Sequence, residues 1–149
     1  MGALNFEERD ARAVLLPLER METVRADATP EDVEAVAART GYSRFPVRDD
    51  GRLGGYVHVK DALESDPLRR RRPINPARIR PLPTVLETEK LRSVLSAMQR
   101  SGAHLAGVAS VDDSRLLGVV ALEDVLEELV GEIRDEAGAI GRTRRRRSP

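Results

Sequence analysis

No cysteine and no tryptophan occur among the 149 residues, and tyrosine and phenylalanine occur only twice each. Without cysteine there is no disulfide framework, no thiol nucleophile and no cysteine-ligated zinc or iron–sulfur centre. Four aromatics are too few for the stacking surface that single-stranded nucleic acid usually requires. Long apolar runs are missing as well. A stretch such as Leu116–Leu122 falls far short of the roughly 20 residues of a membrane helix. The opening MGALNFEERDAR has no basic region followed by an apolar one, so it does not read as a secretory signal. Nor is there a nucleophile–base pair, a metal triad or a phosphate-cradling glycine loop, since Gly54-Gly55 is too short to count. Catalysis is therefore the least expected function.

Charge of one sign is lacking only on average. The 25 basic and 25 acidic residues cancel, but residues 141–149 hold five arginines and no acid, leaving the rest acidic. That acidic body argues against a nucleic-acid partner, despite the Arg69–Arg72 run and the basic tail.

What is present is a repeat. Thr23–Val47 resembles Thr84–Val108 at a constant offset of 61, matching Val24 with Val85, Val33 with Val94 and Gly41 with Gly102. The offset then becomes 63 and aligns GYVHVKDAL (55–63) with GVVALEDVL (118–126), Gly55 with Gly118 and Asp61 with Asp124. Thr29-Pro30-Glu31-Asp32 offers an N-cap, a first-turn proline and early acids before Val33, Val36 and Ala37 at helical spacing, and Gly41 ends that helix. FPV and LGGYV around Asp49-Asp50-Gly51 read as a hairpin, with a helix holding Asp61 after it. The second copy repeats this: Leu91, Val94, Leu95 and Met98 on one helical face, strands near 104–110 and 116–120, and a helix over about 121–135.

The expected fold is thus α+β: two pseudo-symmetric strand-helix-strand-strand-helix units packed through small sheets into one globule. The divisions are a helical lead-in at 1–14, repeat 1 at 15–65, a linker at 66–78, repeat 2 at 79–135 and a disordered basic tail at 136–149. The linker, with three prolines and four consecutive arginines, reads as a solvated loop without regular structure.

GYSRFPV at 41–47, GYVHVKD at 55–61 and above all GVVALEDVLEELVGEI at 118–133 resemble a tandem pair of CBS domains, the Bateman module. Most specifically they resemble the pair of the CorC/HlyC family of hemolysin-like membrane proteins, relatives of the CNNM magnesium transport mediators. The resemblance covers residues 15 to about 135. It implies a non-enzymatic regulatory module on the cytoplasmic face of the plasma membrane, following an N-terminal transmembrane domain concerned with Mg²⁺ or Co²⁺, and a homodimer. It also implies an adenosine nucleotide such as ATP or AMP, with or without Mg²⁺, in the cleft between the repeats. The alternative is a ligand-free dimerisation module with a degenerate nucleotide site.

Carried over by resemblance, the nucleotide site comprises Leu16, Pro17, Tyr42, Ser43, Arg44, Pro46, Val120, Ala121, Glu123 and Asp124. Arg44 would serve the phosphates and Asp124 the ribose hydroxyls, in keeping with the chemistry of guanidinium and carboxylate groups. A weaker second site would use His58, Asp61 and His104. Nucleotide-binding relatives carry a Ser or Thr three positions before the Asp, where this chain has His58 and Ala121, and often a Thr at the position of Leu16. Losing the two hydroxyls at Leu16 and Ala121 weakens affinity by roughly one to three or more orders of magnitude. Glu123 and Glu127 are the candidates for Mg²⁺, acting with nucleotide phosphates. Glu128–Glu136 reads as a solvated acidic face or a contact for arginines. His58 and His104 have no second histidine at ligand spacing and read as packed or capped imidazoles. Gly55 and Gly118 are expected to permit close backbone approach, and the Arg144–Arg147 run can attract anionic lipid.

Overall fold

The computed structural model describes residues 8–147, with the backbone alone for 139–147. In chain order its regular elements are β1 (Leu16–Pro17), β2 (Val24–Arg25), α1 (Pro30–Thr40), β3 (Arg44–Asp49), β4 (Arg52–His58) and α2 (Val59–Ala62). The second half brings β5 (Thr84–Leu86), α3 (Leu91–Ser101), β6 (Leu105–Ala109), β7 (Leu116–Ala121) and α4 (Leu122–Arg147). The expected unit, strand-helix-strand-strand-helix, occurs twice.

Local chemistry sets the boundaries. Thr29 and Asp32 form a reciprocal capping box: Asp32 N–H donates to Thr29 Oγ1 at 3.1 Å and Thr29 N–H donates to the Asp32 carboxylate at 3.0 Å. Pro30 fills the first turn. Gly41 and Gly102 close α1 and α3 in the left-handed conformation, at φ of 77° and 67°.

Each repeat builds its own sheet and core. β2 pairs parallel and β4 antiparallel with β3, over a core that includes Val33, Phe45, Val47 and Val57. β5 and β7 flank β6 in the same way, over Val85, Leu91, Val94, Met98 and Val120.

The lead-ins are exchanged between the repeats. β1, at the start of the span assigned to repeat 1, pairs antiparallel with β7 of repeat 2, Leu16 opposite Val119 and Pro17 opposite Gly118. Just before it, Ala11 is fully buried in the second core and its N–H donates to the Glu89 carbonyl at 2.9 Å. Reciprocally, Arg80, at the start of the span assigned to repeat 2, forms a two-bond antiparallel bridge with Tyr56 of repeat 1, at 2.8 and 3.0 Å. Both crossings need glycine underneath. A Cβ at Gly118 would lie 2.0 Å from the Leu16 carbonyl oxygen, and one at Gly55 2.6 Å from that of Arg80. Close approach is therefore what fixes both glycines, as the sequence suggested.

Two segments depart from expectation. The linker contains single 3-10 turns at Arg69–Arg71 and Pro76–Arg78. It is fastened: Ile74 is buried and its N–H donates to the Ala28 carbonyl at 2.9 Å. Arg70 forks onto both Glu34 oxygens at 2.8 and 2.6 Å. One arginine of the run is thus a structural anchor. The final helix runs past residue 135 to Arg147, through most of the segment expected as a disordered tail. Of the lead-in, Ala11–Val14 forms a 3-10 turn. Residues 1–7 and 148–149, which complete the expected lead-in and tail, lie outside the described residues, as do the side chains of Arg144–Arg147 on which the lipid reading rests.

Candidate functional site

Tyr56 is fully buried on β4, and a buried phenol needs a partner for its oxygen. It finds one across the molecule, accepting from the backbone N–H of His104 at 2.9 Å. His104 sits just before β6, and its carbonyl accepts from Leu122 N–H at 2.9 Å, at the start of α4. One phenol thereby ties the hairpin of repeat 1 to the turn that launches the last helix. Ala103 and Leu105 are buried beside it, with Leu82 and Ala121 partly covered.

Above this floor, Arg44 at the start of β3 reaches from repeat 1 to repeat 2. One guanidinium nitrogen lies 3.4 Å from His104 Nδ1 and the other 3.5 Å from a Glu123 oxygen in the first turn of α4. The arginine side chain is 25% exposed and the glutamate 73%. At that distance and exposure the ion pair is worth about 0–1 kcal/mol, so the guanidinium can exchange Glu123 for another anion at little cost. The α4 N-terminus adds a favourable dipole for negative charge.

The pseudo-equivalent carboxylates differ sharply. Asp124 is exposed and enters no described ion pair or hydrogen bond. Asp61 is taken: Arg80 Nε donates to it at 2.8 Å, and a second Arg80 nitrogen lies 2.8 Å from the same oxygen. The Arg80 hydrogen bond, outweighing partial burial, holds the Asp61 carboxyl below the usual carboxylate range. His58 is committed too, its Nδ1 accepting from Lys60 N–H at 3.0 Å as the cap of α2.

Burial, and then the positive charges of Arg44 and Arg80, push the His58 imidazole below its ordinary pKa. A depressed folded-state pKa means that only the unfolded chain takes up a proton just below pH ~6.5, the ordinary histidine value. The stability linked to His58 is therefore complete above that pH and is lost as pH falls below it. Denaturant titration at pH 7.5 and 5.5 should show a loss that shrinks in His58→Asn, which keeps an acceptor for the cap. Equal losses in the two proteins would remove His58 as the source.

The remaining sequence-derived residues are spread over both repeats. Tyr42 is 51% exposed, with its N–H on Thr40 Oγ1 at 3.1 Å. Ser43 is exposed, and its carbonyl accepts from Val59 N–H at 2.8 Å. Pro46 is buried opposite Tyr56, and Val120 is fully buried in the second core, so Val120 can offer a ligand only its backbone. Leu16 is 36% exposed and Pro17 partly covered, on β1 against β7.

Glu127 is exposed. Among the described residues no three His, Asp or Glu side chains converge on a point where a metal could sit, so Glu123 and Glu127 would need oxygens from a ligand to hold one. Further along α4, Arg9 pairs with Glu128 and its N–H donates to Glu132 at 2.9 Å, an intramolecular contact for the acidic face. Two surface depressions lie elsewhere and hold charges that are already paired, Arg25 with Asp27 and Arg12 with Asp10.

Sequence reasoning gave no role to Tyr56 or Arg80. A tyrosine in the apolar run GYVHV was a signal for the first, because a buried phenol must be satisfied. For Arg80 there was no local signal.

The sequence profile of the CBS domain matches residues 12–67 and 77–131. An uncharacterized protein of Mycobacterium tuberculosis is 42% identical over 141 residues, covering 89% of this chain and 40% of the relative. The UPF0053 protein YhdT of Bacillus subtilis is 35% identical over 139 residues, 88% of this chain and 30% of the relative. The chain therefore spans well under half the length of these relatives. Among solved structures, the CBS domain of the bacterial CNNM/CorC family Mg²⁺ transporter in complex with ATP superposes with a TM-score of 0.74 at 30% identity, covering 86% of this chain and 92% of that one. A hemolysin-like protein containing a CBS domain from Oenococcus oeni gives 0.74 at 25% identity, covering 85% and 94%. Among the described residues no helix is long and apolar enough to cross a membrane.

Proposed function

Because the chain belongs to the CBS domain family, with two copies in tandem, we propose that it is a regulatory module that senses an adenosine nucleotide in the cleft between its repeats. The observation that carries this reading is the contrast at the two pseudo-equivalent carboxylates: Asp124, next in the chain to the Glu123 that Arg44 weakly engages, stands open, whereas Asp61 is held by Arg80. Only the first arrangement has a cation for phosphate and a free acceptor for ribose hydroxyls within one cleft. The likeness to a CNNM/CorC CBS domain that holds ATP supports the same ligand class.

Leu16, Pro17, Tyr42, Ser43, Pro46, Val120 and Ala121 would frame the base and sugar. Mg²⁺, where it takes part, would be held by phosphate oxygens with Glu123 or Glu127. His58, Asp61 and His104 would not form an independent second site while Arg80 and the α2 cap engage the first two. On this reading the module works as a homodimer on the cytoplasmic face of the plasma membrane, attached to a membrane domain handling Mg²⁺ or Co²⁺. Nucleotide occupancy would bias α4, which begins at the site. A site too depleted of hydroxyls to bind nucleotide would leave a purely structural dimerisation module.

Calorimetric titration with ATP, with and without Mg²⁺, should give saturable one-site binding weakened by the missing hydroxyls at Leu16 and Ala121, and Ala121→Thr should tighten it by about tenfold, the worth of one hydrogen bond. Absence of heat and of a thermal shift at millimolar nucleotide in both proteins would overturn the sensing reading and leave the dimerisation module.

A further inference from the structure

The first 3-10 turn of the linker, Arg69–Arg71, is fastened from within and sends the rest of its side chains outward. Arg70 is the fastening: its guanidinium forks onto Glu34 of α1 and also donates to the Glu64 carbonyl at 3.2 Å, which draws the segment just after Leu63 against the turn. Three residues complete one 3-10 turn, so residues three apart share an edge. With Arg70 on the edge that meets α1, the other two edges fall to Leu68 with Arg71 and to Arg69 with Arg72. All four of these residues are exposed.

The outward edges combine two properties that rarely share a surface turn. Leu68 is 69% exposed, more than any other large apolar side chain among the described residues, and Leu63 is 58% exposed. Residues 63–73 also hold four arginines against two acids. The acids nearby are engaged: Glu34 with Arg70, Glu64 with the Asp66 N–H at 3.2 Å, and Asp66 with the Leu68 N–H at 2.9 Å. Among the described ion pairs Arg69 has one, to Asp66 at 3.8 Å, and Arg71 and Arg72 have none. Surplus exposed cations fit an anionic partner, and exposed leucines fit an apolar one. A soluble polyanion meets only the first need and an uncharged apolar surface only the second. An anionic bilayer meets both, its headgroup phosphates taking the guanidinium groups and its acyl boundary the leucines.

We propose that the linker turn, through Leu63 and Leu68 with Arg69, Arg71 and Arg72, docks on an anionic membrane surface. Arg70 does not touch the lipid; it holds the turn in the shape that presents the others. The docking goes beyond the preceding reading and needs neither nucleotide nor a second copy of the chain.

Co-sedimentation of the full chain with vesicles tests it, using phosphatidylcholine mixed with phosphatidylglycerol beside phosphatidylcholine alone. The chain should bind the mixed vesicles, less tightly as salt rises, and leave the neutral ones unbound. Arg69→Gln, Arg71→Gln and Arg72→Gln together should weaken binding by roughly a hundredfold, about fivefold for each arginine. Leu63→Ser with Leu68→Ser should weaken it by about tenfold at unchanged charge. Far-UV circular dichroism should be the same for all these proteins, because every substituted side chain is exposed. Replacing Arg144–Arg147 by glutamine instead should leave most of the binding in place. Failure of the parent chain to bind the mixed vesicles would overturn the proposal. So would binding that is lost with the tail arginines and indifferent to the linker arginines. Sensitivity to the linker arginines with indifference to the two serines would overturn the bilayer as the occupant and leave a soluble polyanion in its place.

Discussion

Replacing Tyr56 by alanine should destabilise the chain by about 3–5 kcal/mol, the range for deleting a large aromatic from a core. That is a large share of the roughly 5–15 kcal/mol that holds a domain of this size together. Tyr56 belongs to repeat 1 and is fully buried, and the apolar side chains around it come from repeat 2: Ala103 and Leu105, with Leu82 and Ala121 at the edge. Phenylalanine isolates the hydroxyl. Tyr56→Phe keeps the volume and removes the acceptor for His104 N–H, which should cost about 1–3 kcal/mol because the donor is left unsatisfied between the repeats. Denaturant unfolding of the three proteins, followed by circular dichroism, reads both effects. A phenylalanine variant as stable as the parent would show that the inter-repeat hydrogen bond contributes nothing, and the coupling of the repeats would then rest on apolar packing alone. The same bond positions His104, a partner of the Arg44 guanidinium, so Tyr56→Phe should also weaken nucleotide binding although its hydroxyl makes no described contact with the guanidinium itself.

The elements that were legible in the sequence are those whose cause is local. Thr29, Pro30 and Asp32 announce the start of α1, and Gly41 and Gly102 the ends of α1 and α3, because caps and left-handed turns demand particular residues at particular places. The helical face of Leu91, Val94 and Met98 is buried as its spacing implies. Gly55 and Gly118 signalled a close approach, but not what approaches. The backbones that cross them, at Arg80 and Leu16, come from segments too short and irregular to carry a period.

For the same reason the equivalence of Asp61 and Asp124 within the repeat concealed their difference. Arg80 reaches Asp61 from the second lead-in, a long-range pairing with no trace in local spacing. Arg44 was singled out from the sequence as a candidate cation, whereas its partners His104 and Glu123 became neighbours only once the repeats were packed. The end of α4 was misjudged for a different reason. Gly138, Gly141 and the arginine run speak locally against a helix, yet the apolar stripe that begins at Leu126 continues through Ala137.

Arg44→Ala should weaken nucleotide binding by roughly 10- to 100-fold, corresponding to the loss of a charge-assisted hydrogen bond to phosphate, about 1.5–3 kcal/mol. Folding stability should barely change. Within the protein the substitution removes an ion pair to the exposed Glu123 at 3.5 Å, which water screens and which is worth at most about 1 kcal/mol. That separation of effects distinguishes a ligand-directed arginine from a structural one. Arg70, forked onto Glu34 at 2.8 and 2.6 Å, should behave in the opposite manner, costing stability on removal and leaving affinity alone. Arg44→Lys retains the charge but not the fork and should fall between parent and alanine.

The carboxylates complete the test. Asp124→Asn should cost affinity because an acceptor for ribose hydroxyls loses its charge, whereas Asp61→Asn should leave affinity nearly intact and cost stability through the orphaned Arg80. Calorimetric titration of the four substitutions with ATP, beside their denaturant midpoints, gives each variant two coordinates. If Arg44→Ala binds as tightly as the parent, or if Asp61→Asn loses more affinity than Asp124→Asn, the nucleotide does not sit between Arg44 and the start of α4.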